Sequence, residues 1–187
     1  MIKLEKPDID VESIITDCTA NLTKQPILTH INASKTTIVS KSEKYNELAE
    51  KGQLGTLETH TMIEGGATKD DMVWLYDNKF VADGGRKYYD KIKAIPKYSK
   101  CPFCGVGIVS TLDHYLPKTK YPTYALTPVN LIACCADCNK NKKSEISETR
   151  NNEFIHPYYD DFNDEVWLKV KICLLYTSPS PRDMRRS

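Results

Sequence analysis

Residues 101–143, CPFCGVGIVSTLDHYLPKTKYPTYALTPVNLIACCADCNKNKK, decide the fold. The stretch opens with Cys101-x2-Cys104 and nearly closes with Cys135-x2-Cys138. Two such pairs predict one tetrahedral zinc site, because each tight knuckle turns two thiolates toward the same cation. Four cysteine ligands leave no open coordination position. We therefore expect a structural zinc that stabilises a segment too short to bury enough apolar surface alone.

A second group of polar residues lies between and just after the cysteine pairs: Asp113, His114, Asn130 and Asn139. Asp113 and the side-chain oxygen of Asn139 are hard ligands that suit Mg²⁺ or Mn²⁺. His114 can accept a proton near neutral pH. Neighbouring strand residues point to opposite faces, so Asp113 and His114 share one site only if the strand ends there and the backbone turns. Alternatively, Asn139 caps the next helix and Asn130 is a plain turn residue.

The stretch resembles the HNH endonuclease family, whose core is a ββα-metal fold. The matching pieces are CPFC, LDHYLPK and NLIACCADCNKNK, which follow the family order. The resemblance implies that His114 is the general base and that Asp113 and Asn139 bind a catalytic Mg²⁺ or Mn²⁺. It also implies that Asn130 tethers the loop that carries the histidine. The family often has histidine at the position of Asn139. This difference affects how strongly the site would bind a metal ion and which metal it would bind.

Lysines surround the same motif. Between positions 114 and 143 five lysines accompany one aspartate, although the net charge of the whole chain is only +1. The predicted phosphate contacts are Lys118, Lys120, Lys142 and Lys143; the alternative is a solvated lysine face. His156 is a further candidate as an added ligand or phosphate contact, with a structural role as the alternative.

The remaining composition is that of a soluble globular protein. The chain has 187 residues, of which 40% are hydrophobic and 27% are charged. It has no apolar run near 18 residues, and its first residues lack the apolar core of a signal peptide. Seven cysteines without an export signal predict a reduced, cytoplasmic setting. Cys18 is expected to be a buried thiol, and the spacing favours Cys135 over the adjacent Cys134 as a ligand.

The predicted fold class is α+β, with a mainly helical N-terminal region over residues 1–96 and an HNH nuclease domain over 97–172. Apolar periodicity and capping residues predict helices over 10–22, 26–33, 40–51, 69–80 and 86–95. His30 and His60 are expected to have surface or packing roles. Tyr88 and Tyr89 are expected in the core, with stacking on bases as the alternative. In the second region we expect a strand over 107–112, an extended loop over 115–129 that can hold a short second strand, and a helix from 136. Residues 130–133 lead into the second cysteine pair, and the expected order is strand, long loop, strand, helix.

The C-terminal stretch 173–187, CLLYTSPSPRDMRRS, resembles the read-through of a sequencing adapter. The alternative is a short, disordered native tail rich in Ser, Pro and Arg. If the tail is foreign, the strand-like residues 166–172 begin a truncated region, and the tail is excluded from functional argument.

The layout of the whole chain resembles the nuclease subunits of Septu-type anti-phage systems and related retron-linked nucleases, which implies an ATPase partner. The sequence thus predicts a metal-dependent endonuclease that acts on DNA in anti-phage defence, with RNA as an open alternative substrate. One rival interpretation is a zinc-knuckle nucleic-acid-binding module without catalysis. Another is a thiol redox protein that uses its CxxC pairs.

Overall fold

The computed structural model describes residues 2–142 and 155–161. Its helices and strands follow in the order α1 Val11–Thr19, α2 Ile27–Glu50, α3 Lys69–Leu75, α4 Arg86–Lys93, β1 Thr111–His114, β2 Leu131–Cys134 and α5 Ala136–Lys142. A π-helical turn, Tyr76–Phe80, continues α3, so the helix predicted over 69–80 is present. The described part is therefore a mixture of helices and one small antiparallel sheet, which agrees with the α+β class.

Capping residues and apolar spacing account for the shorter helices. Asp10 caps α1 by accepting a hydrogen bond from the backbone N–H of Ser13 at 2.8 Å. Thr68 and Asp71 form a reciprocal capping box at the start of α3. The expected thiol Cys18 is buried on the apolar side of α1, where burial raises its pKa to about 12.

Helix α2 differs from the prediction. The sequence predicted two helices over 26–33 and 40–51, whereas the structure has one continuous helix of 24 residues. No glycine or proline interrupts it, and its buried stripe includes the small polar residues Ser34 and Ser42. Ser34 accepts a hydrogen bond from the backbone N–H of Ala67 at 3.0 Å. A tertiary contact therefore buries a polar residue at a position where a break between two helices was predicted.

No helix in the described ranges is long and apolar enough to cross a membrane. This includes α2, whose outer side is polar.

The hairpin of β1 and β2 lies between two apolar clusters. Its register pairs Leu112 with Ala133 and His114 with Leu131. These four residues share one face, because side chains alternate along a strand. Leu112, Leu131 and Ala133 belong to the large cluster formed with α1 to α4. Asp113 and its partner Ile132 point to the other face, toward a second cluster rich in tyrosine and toward α5.

The strands lie later than predicted. The expected strand 107–112 is shifted to 111–114, and the residues before it form the cysteine knuckle, with a bridge between Lys100 and Ile108. The short strand expected within 115–129 is absent from this described loop, which contains 3-10 turns at Pro122–Tyr124 and Pro128–Asn130. Its prolines cannot donate ladder hydrogen bonds. The strand predicted over 166–172 and the tail 173–187 lie outside the described residues.

Candidate functional site

Four cysteines form a cluster at one end of the hairpin. The Sγ atoms of Cys101, Cys104, Cys135 and Cys138 all lie within 4.8 Å of one another, and those of Cys104 and Cys135 are 3.9 Å apart. Tetrahedral thiolates at the Zn–S distance of about 2.3 Å would be about 3.8 Å apart. The cluster can therefore hold a structural metal ion, as the spacing of the cysteines predicted.

Glycines and backbone amides shape this cluster. The N–H of Gly107 donates to Cys104 Sγ at 3.3 Å, and amide hydrogen bonds lower the pKa of the Cys104 thiol to about 6. A Cβ atom on Gly107 would lie 2.8 Å from Cys135 Sγ, so only glycine leaves room for the sulfur atoms. Gly105 has a φ of +71°, the left-handed conformation that a tight knuckle needs.

Cys134 is not part of this cluster. It is fully buried, and burial raises the pKa of its thiol to about 12. The adjacent Cys135 contributes to the cluster instead, as the CxxC spacing favoured.

The Asp113 side chain projects from the face of the hairpin that α5 covers. Its Oδ2 lies 2.9 Å from Nζ of Lys142, and both side chains are about nine-tenths buried. The Lys142 ammonium also donates to the backbone carbonyls of His114 and Tyr115. Burial raises the pKa of Asp113, and the nearby ammonium partly opposes that shift. A carboxylate and two carbonyls thus surround one cationic atom.

The His114 side chain projects from the opposite face of the hairpin, toward the helices. Its Nε2 donates to the carbonyl of Ala125 at 3.0 Å, since a carbonyl can only accept. This hydrogen bond leaves Nδ1 with the lone pair of a neutral imidazole. The ring packs against Tyr76 with centroids 4.5 Å apart. Burial is the main reason that the pKa of His114 falls to about 3.

Asn130 fastens the loop that follows His114. Its Nδ2 donates to the carbonyls of Leu116 and Tyr124 at 3.1 and 3.0 Å. Its Oδ1 accepts from the N–H of Leu116 at 2.7 Å and from the Tyr45 hydroxyl at 3.1 Å. Every hydrogen-bonding position of this buried amide is used, so Asn130 is more than a plain turn residue.

The structure separates some predicted site residues. The Asp113 and His114 side chains leave opposite faces of β1, because the strand continues through both residues instead of turning between them. Asn139 lies three residues before Lys142 on α5, and this spacing places both on one side of the helix. Asn139 follows the first residue of α5 by one turn, so it does not cap that helix.

The predicted phosphate contacts fall in different environments. Lys120 is exposed, whereas Lys118 forms an ion pair with Asp77 and lies 4.2 Å from the centre of the Tyr76 ring. Lys142 is buried against Asp113, so it is not the surface contact that the sequence predicted. Lys143 lies outside the described residues.

His156 joins Asn130 through Tyr45. Tyr158 N–H donates to His156 Nδ1 at 3.4 Å, so Nε2 carries the proton and donates to the Tyr45 oxygen at 3.2 Å. The Tyr45 hydroxyl then donates to Asn130. His156 is 3% exposed and packs on Tyr115 at 4.2 Å. These contacts favour the structural alternative for His156 among the described residues.

The other two histidines are half-buried and bond to neighbouring residues, in agreement with the predicted surface or packing roles. His30 pairs with Asp71 at 2.9 Å. His60 Nδ1 donates to the carbonyl of Glu58, and its Nε2 accepts from Thr123 at 2.6 Å.

Two residues that support the site, Tyr45 and Tyr76, were not predicted as site residues from the sequence. Tyr45 lies on the buried stripe of α2, and a buried tyrosine hydroxyl requires a hydrogen-bond partner. Helical spacing could have predicted that it is buried. Its partners at positions 130 and 156 could not have been inferred, because they come from distant parts of the chain.

One curated protein similar to this chain is protein ea31 of Escherichia phage lambda, with 31% identity over 180 residues. The match covers 90% of this chain and 60% of the phage protein, so the chain spans about three-fifths of the relative's length. The similarity identifies a phage protein as a homologue. No family profile matches the chain, and no solved structure matches it.

Proposed function

We propose that the chain is a metal-dependent HNH endonuclease that hydrolyses phosphodiester bonds in DNA, with zinc in the four-cysteine cluster. The observation that carries the proposal is the orientation of His114. Its Nε2 is engaged by the carbonyl of Ala125, and Asn130 fastens the same loop from the other side. A neutral imidazole held in one tautomer presents a lone pair for a proton. Burial lowers the pKa of His114 to about 3, below the near-neutral value expected from the sequence, so the proposal requires the bound phosphate to raise it.

In this proposal Nδ1 of His114 accepts a proton from the attacking water. The water oxygen forms a bond to phosphorus while the bond from phosphorus to the leaving oxygen breaks, and solvent protonates the leaving oxygen. His114 and Asp113 project from opposite faces of β1, which ends at His114, so one shared site requires the scissile phosphate to lie across that end of the strand. Asn130 and Ala125 are positioning residues here, since they act through His114.

The oxygen atoms around the Lys142 ammonium fit a divalent cation. Asp113 supplies a carboxylate, and the carbonyls of His114 and Tyr115 supply neutral oxygens, which are the ligand types that Mg²⁺ and Mn²⁺ prefer. Asp113 would hold the cation after Lys142 withdraws, with Asn139 on the same side of α5 as Lys142. A bound cation would supply counter-charge for the phosphate and the leaving oxygen.

Cleavage of supercoiled plasmid in the presence of Mg²⁺ or Mn²⁺ tests this function. We expect His114→Ala to reduce the cleavage rate by at least about 100-fold, the usual contribution of a general base. His30→Gln is the matched control, because His30 pairs with Asp71 in the helical region and should leave the rate unchanged. Absence of cleavage by the unmodified chain with every divalent cation would contradict the proposal.

A non-catalytic nucleic-acid-binding module is the second candidate. The ion pair between Lys142 and Asp113 favours it, because a resident ammonium already neutralises the carboxylate that would bind the cation. The two candidates differ in one result: a binding module retains DNA affinity and shows no cleavage with any divalent cation.

We extend the proposal to anti-phage defence with an ATPase subunit as partner, an inference that rests on the resemblance in layout. Co-expression with the product of a neighbouring ATPase gene, followed by affinity purification, tests it. A stable complex in stoichiometric yield supports the partnership, and elution of the chain alone contradicts it.

A further inference from the structure

The turn just before the cysteine knuckle carries an unusual conformation. Tyr98 and Ser99 are consecutive non-glycine residues with φ values of 55° and 53°. Side chains in this left-handed region cost conformational free energy, and such positions concentrate at functional sites. Tyr98 is 91% exposed, so burial of its ring does not compensate for this cost.

Hydrogen bonds hold the turn rigidly. The N–H of Ser99 donates to Pro96 O at 3.1 Å, and the N–H of Lys100 donates to Lys97 O at 3.1 Å. From the next strand segment, Val109 N–H donates to Ser99 O at 2.8 Å. The turn is thus attached to the segment that leads into β1, and the Tyr98 ring is presented to solvent on a fixed support.

We define the knuckle rim as residues 97–100 together with 106–108. Val106 and Ile108 are 74% and 59% exposed, so the rim holds three of the five large exposed hydrophobic side chains in the described part of the chain. Its flanks are basic: residues 91–112, between Asp90 and Asp113, contain four lysines and no acidic residue. Lys100 also donates to the carbonyl of Val106 at 3.1 Å, which holds its ammonium at the rim. Four thiolates around a divalent ion carry two net negative charges. The positive charges of the four lysines outnumber them.

We propose that the knuckle rim binds an unpaired nucleic-acid strand, with a base stacked on Tyr98 and phosphates near Lys97 and Lys100. An exposed aromatic ring beside lysines is how proteins bind single strands, since every base offers a π-face. The absence of acidic residues from this segment favours a polyanion over a protein partner. The inference rests on the proposed function and adds a substrate-binding surface to it.

The rim is close enough to the candidate active site to serve the same substrate. Ile108 and Asp113 are five residues apart, at most about 17 Å of extended chain. A strand on the rim and a phosphate at the end of β1 would therefore belong to one short stretch of nucleotides.

Fluorescence anisotropy with a labelled single-stranded DNA oligonucleotide tests the rim. The His114→Ala background prevents cleavage, so that binding is measured without turnover. We expect Tyr98→Ala to raise Kd about 10-fold, within the range for loss of one stacked base. Tyr98→Phe should bind normally, because stacking needs the ring and not the hydroxyl. Met62→Ala removes an exposed apolar side chain outside the rim and serves as the matched control.

Tyr98→Gly separates binding from folding. Glycine adopts a positive φ without strain, so this variant should melt at the same or a higher temperature and still lose affinity. An unchanged Kd in Tyr98→Ala overturns the inference and would leave the rim as a protein-docking surface. Absence of DNA binding by the parent chain also overturns it. Failure of the nuclease proposal is a separate result: cleavage is absent while the Tyr98 variants still lose affinity.

Discussion

The two ends of the β1–β2 hairpin are built differently. The cysteine end is formed by residues close to the strands themselves, and its four sulfur atoms converge within 4.8 Å. The end with Asp113 and His114 depends on side chains from far away in the chain, namely Tyr45, Tyr76 and His156. A short motif can therefore encode the metal cluster, whereas the proposed catalytic end requires the whole fold.

The largest effect should come from disturbing the cysteine end. Gly107→Ala places a Cβ 2.8 Å from Cys135 Sγ, so we expect loss of the bound metal and more than about 5 kcal/mol of unfolding free energy. Zinc content and urea denaturation measure both. Gly105→Ala is the matched control, because open space surrounds its Cβ and only its positive φ adds strain. One zinc per chain and normal stability in Gly107→Ala would contradict the metal cluster.

The next effect concerns the ammonium beside Asp113. Lys142→Met leaves the buried carboxylate without its partner, so the free energy of unfolding should fall by about 3–5 kcal/mol in the absence of divalent cations. Mn²⁺ should then restore more stability to the variant than it adds to the parent chain. Thermal denaturation with and without Mn²⁺ measures this difference. An equal response of both proteins would show that the cation does not bind at Asp113.

A smaller effect should follow from Tyr45→Phe. The variant removes the hydroxyl that links His156 to Asn130 and leaves two buried groups each short of one hydrogen bond. We expect a loss of about 1–3 kcal/mol in unfolding free energy with the zinc content unchanged. Tyr88→Phe is a matched control, since its hydroxyl bonds Asp17 near the surface. If Tyr45→Phe released the metal, the two ends of the hairpin would not be separable.

The smallest effect, taken per pH unit, is a dependence of stability on pH. Burial lowers the pKa of His156 to about 3, whereas its unfolded value is near 6.5. Below pH 6.5 His156 binds a proton in the unfolded chain but not in the folded chain. The free energy of unfolding therefore falls as the pH drops toward 3. The slope is at most about 1.4 kcal/mol per pH unit for this residue. Urea denaturation between pH 7.5 and 5 should show a shallower slope for His156→Gln, and identical slopes would contradict burial of a neutral imidazole.

Sequence patterns predicted what depends on local spacing. The two cysteine pairs, the choice of Cys135 over Cys134 and the helix from position 136 each follow from residues within a few positions of one another. The continuity of α2 was missed, because Ser34 is buried through a contact with Ala67 that lies 33 residues later.

The surroundings of the candidate catalytic residues could not be predicted. Lys142 was expected at the surface as a phosphate contact, and only the packing of α5 on β1 places its ammonium beside Asp113. The relay from His156 through Tyr45 to Asn130 joins positions 111 and 85 residues apart. Contacts at such separations leave no periodic signal in the sequence.

The most direct test asks whether one hairpin binds both a structural metal ion and a catalytic one. The measurement is anomalous diffraction at the zinc and manganese edges from crystals grown with Mn²⁺. We expect zinc among the four sulfur atoms and manganese about 2.1 Å from a carboxylate oxygen of Asp113, with Lys142 displaced. Zinc alone, with the Lys142 ammonium still beside Asp113, would contradict it.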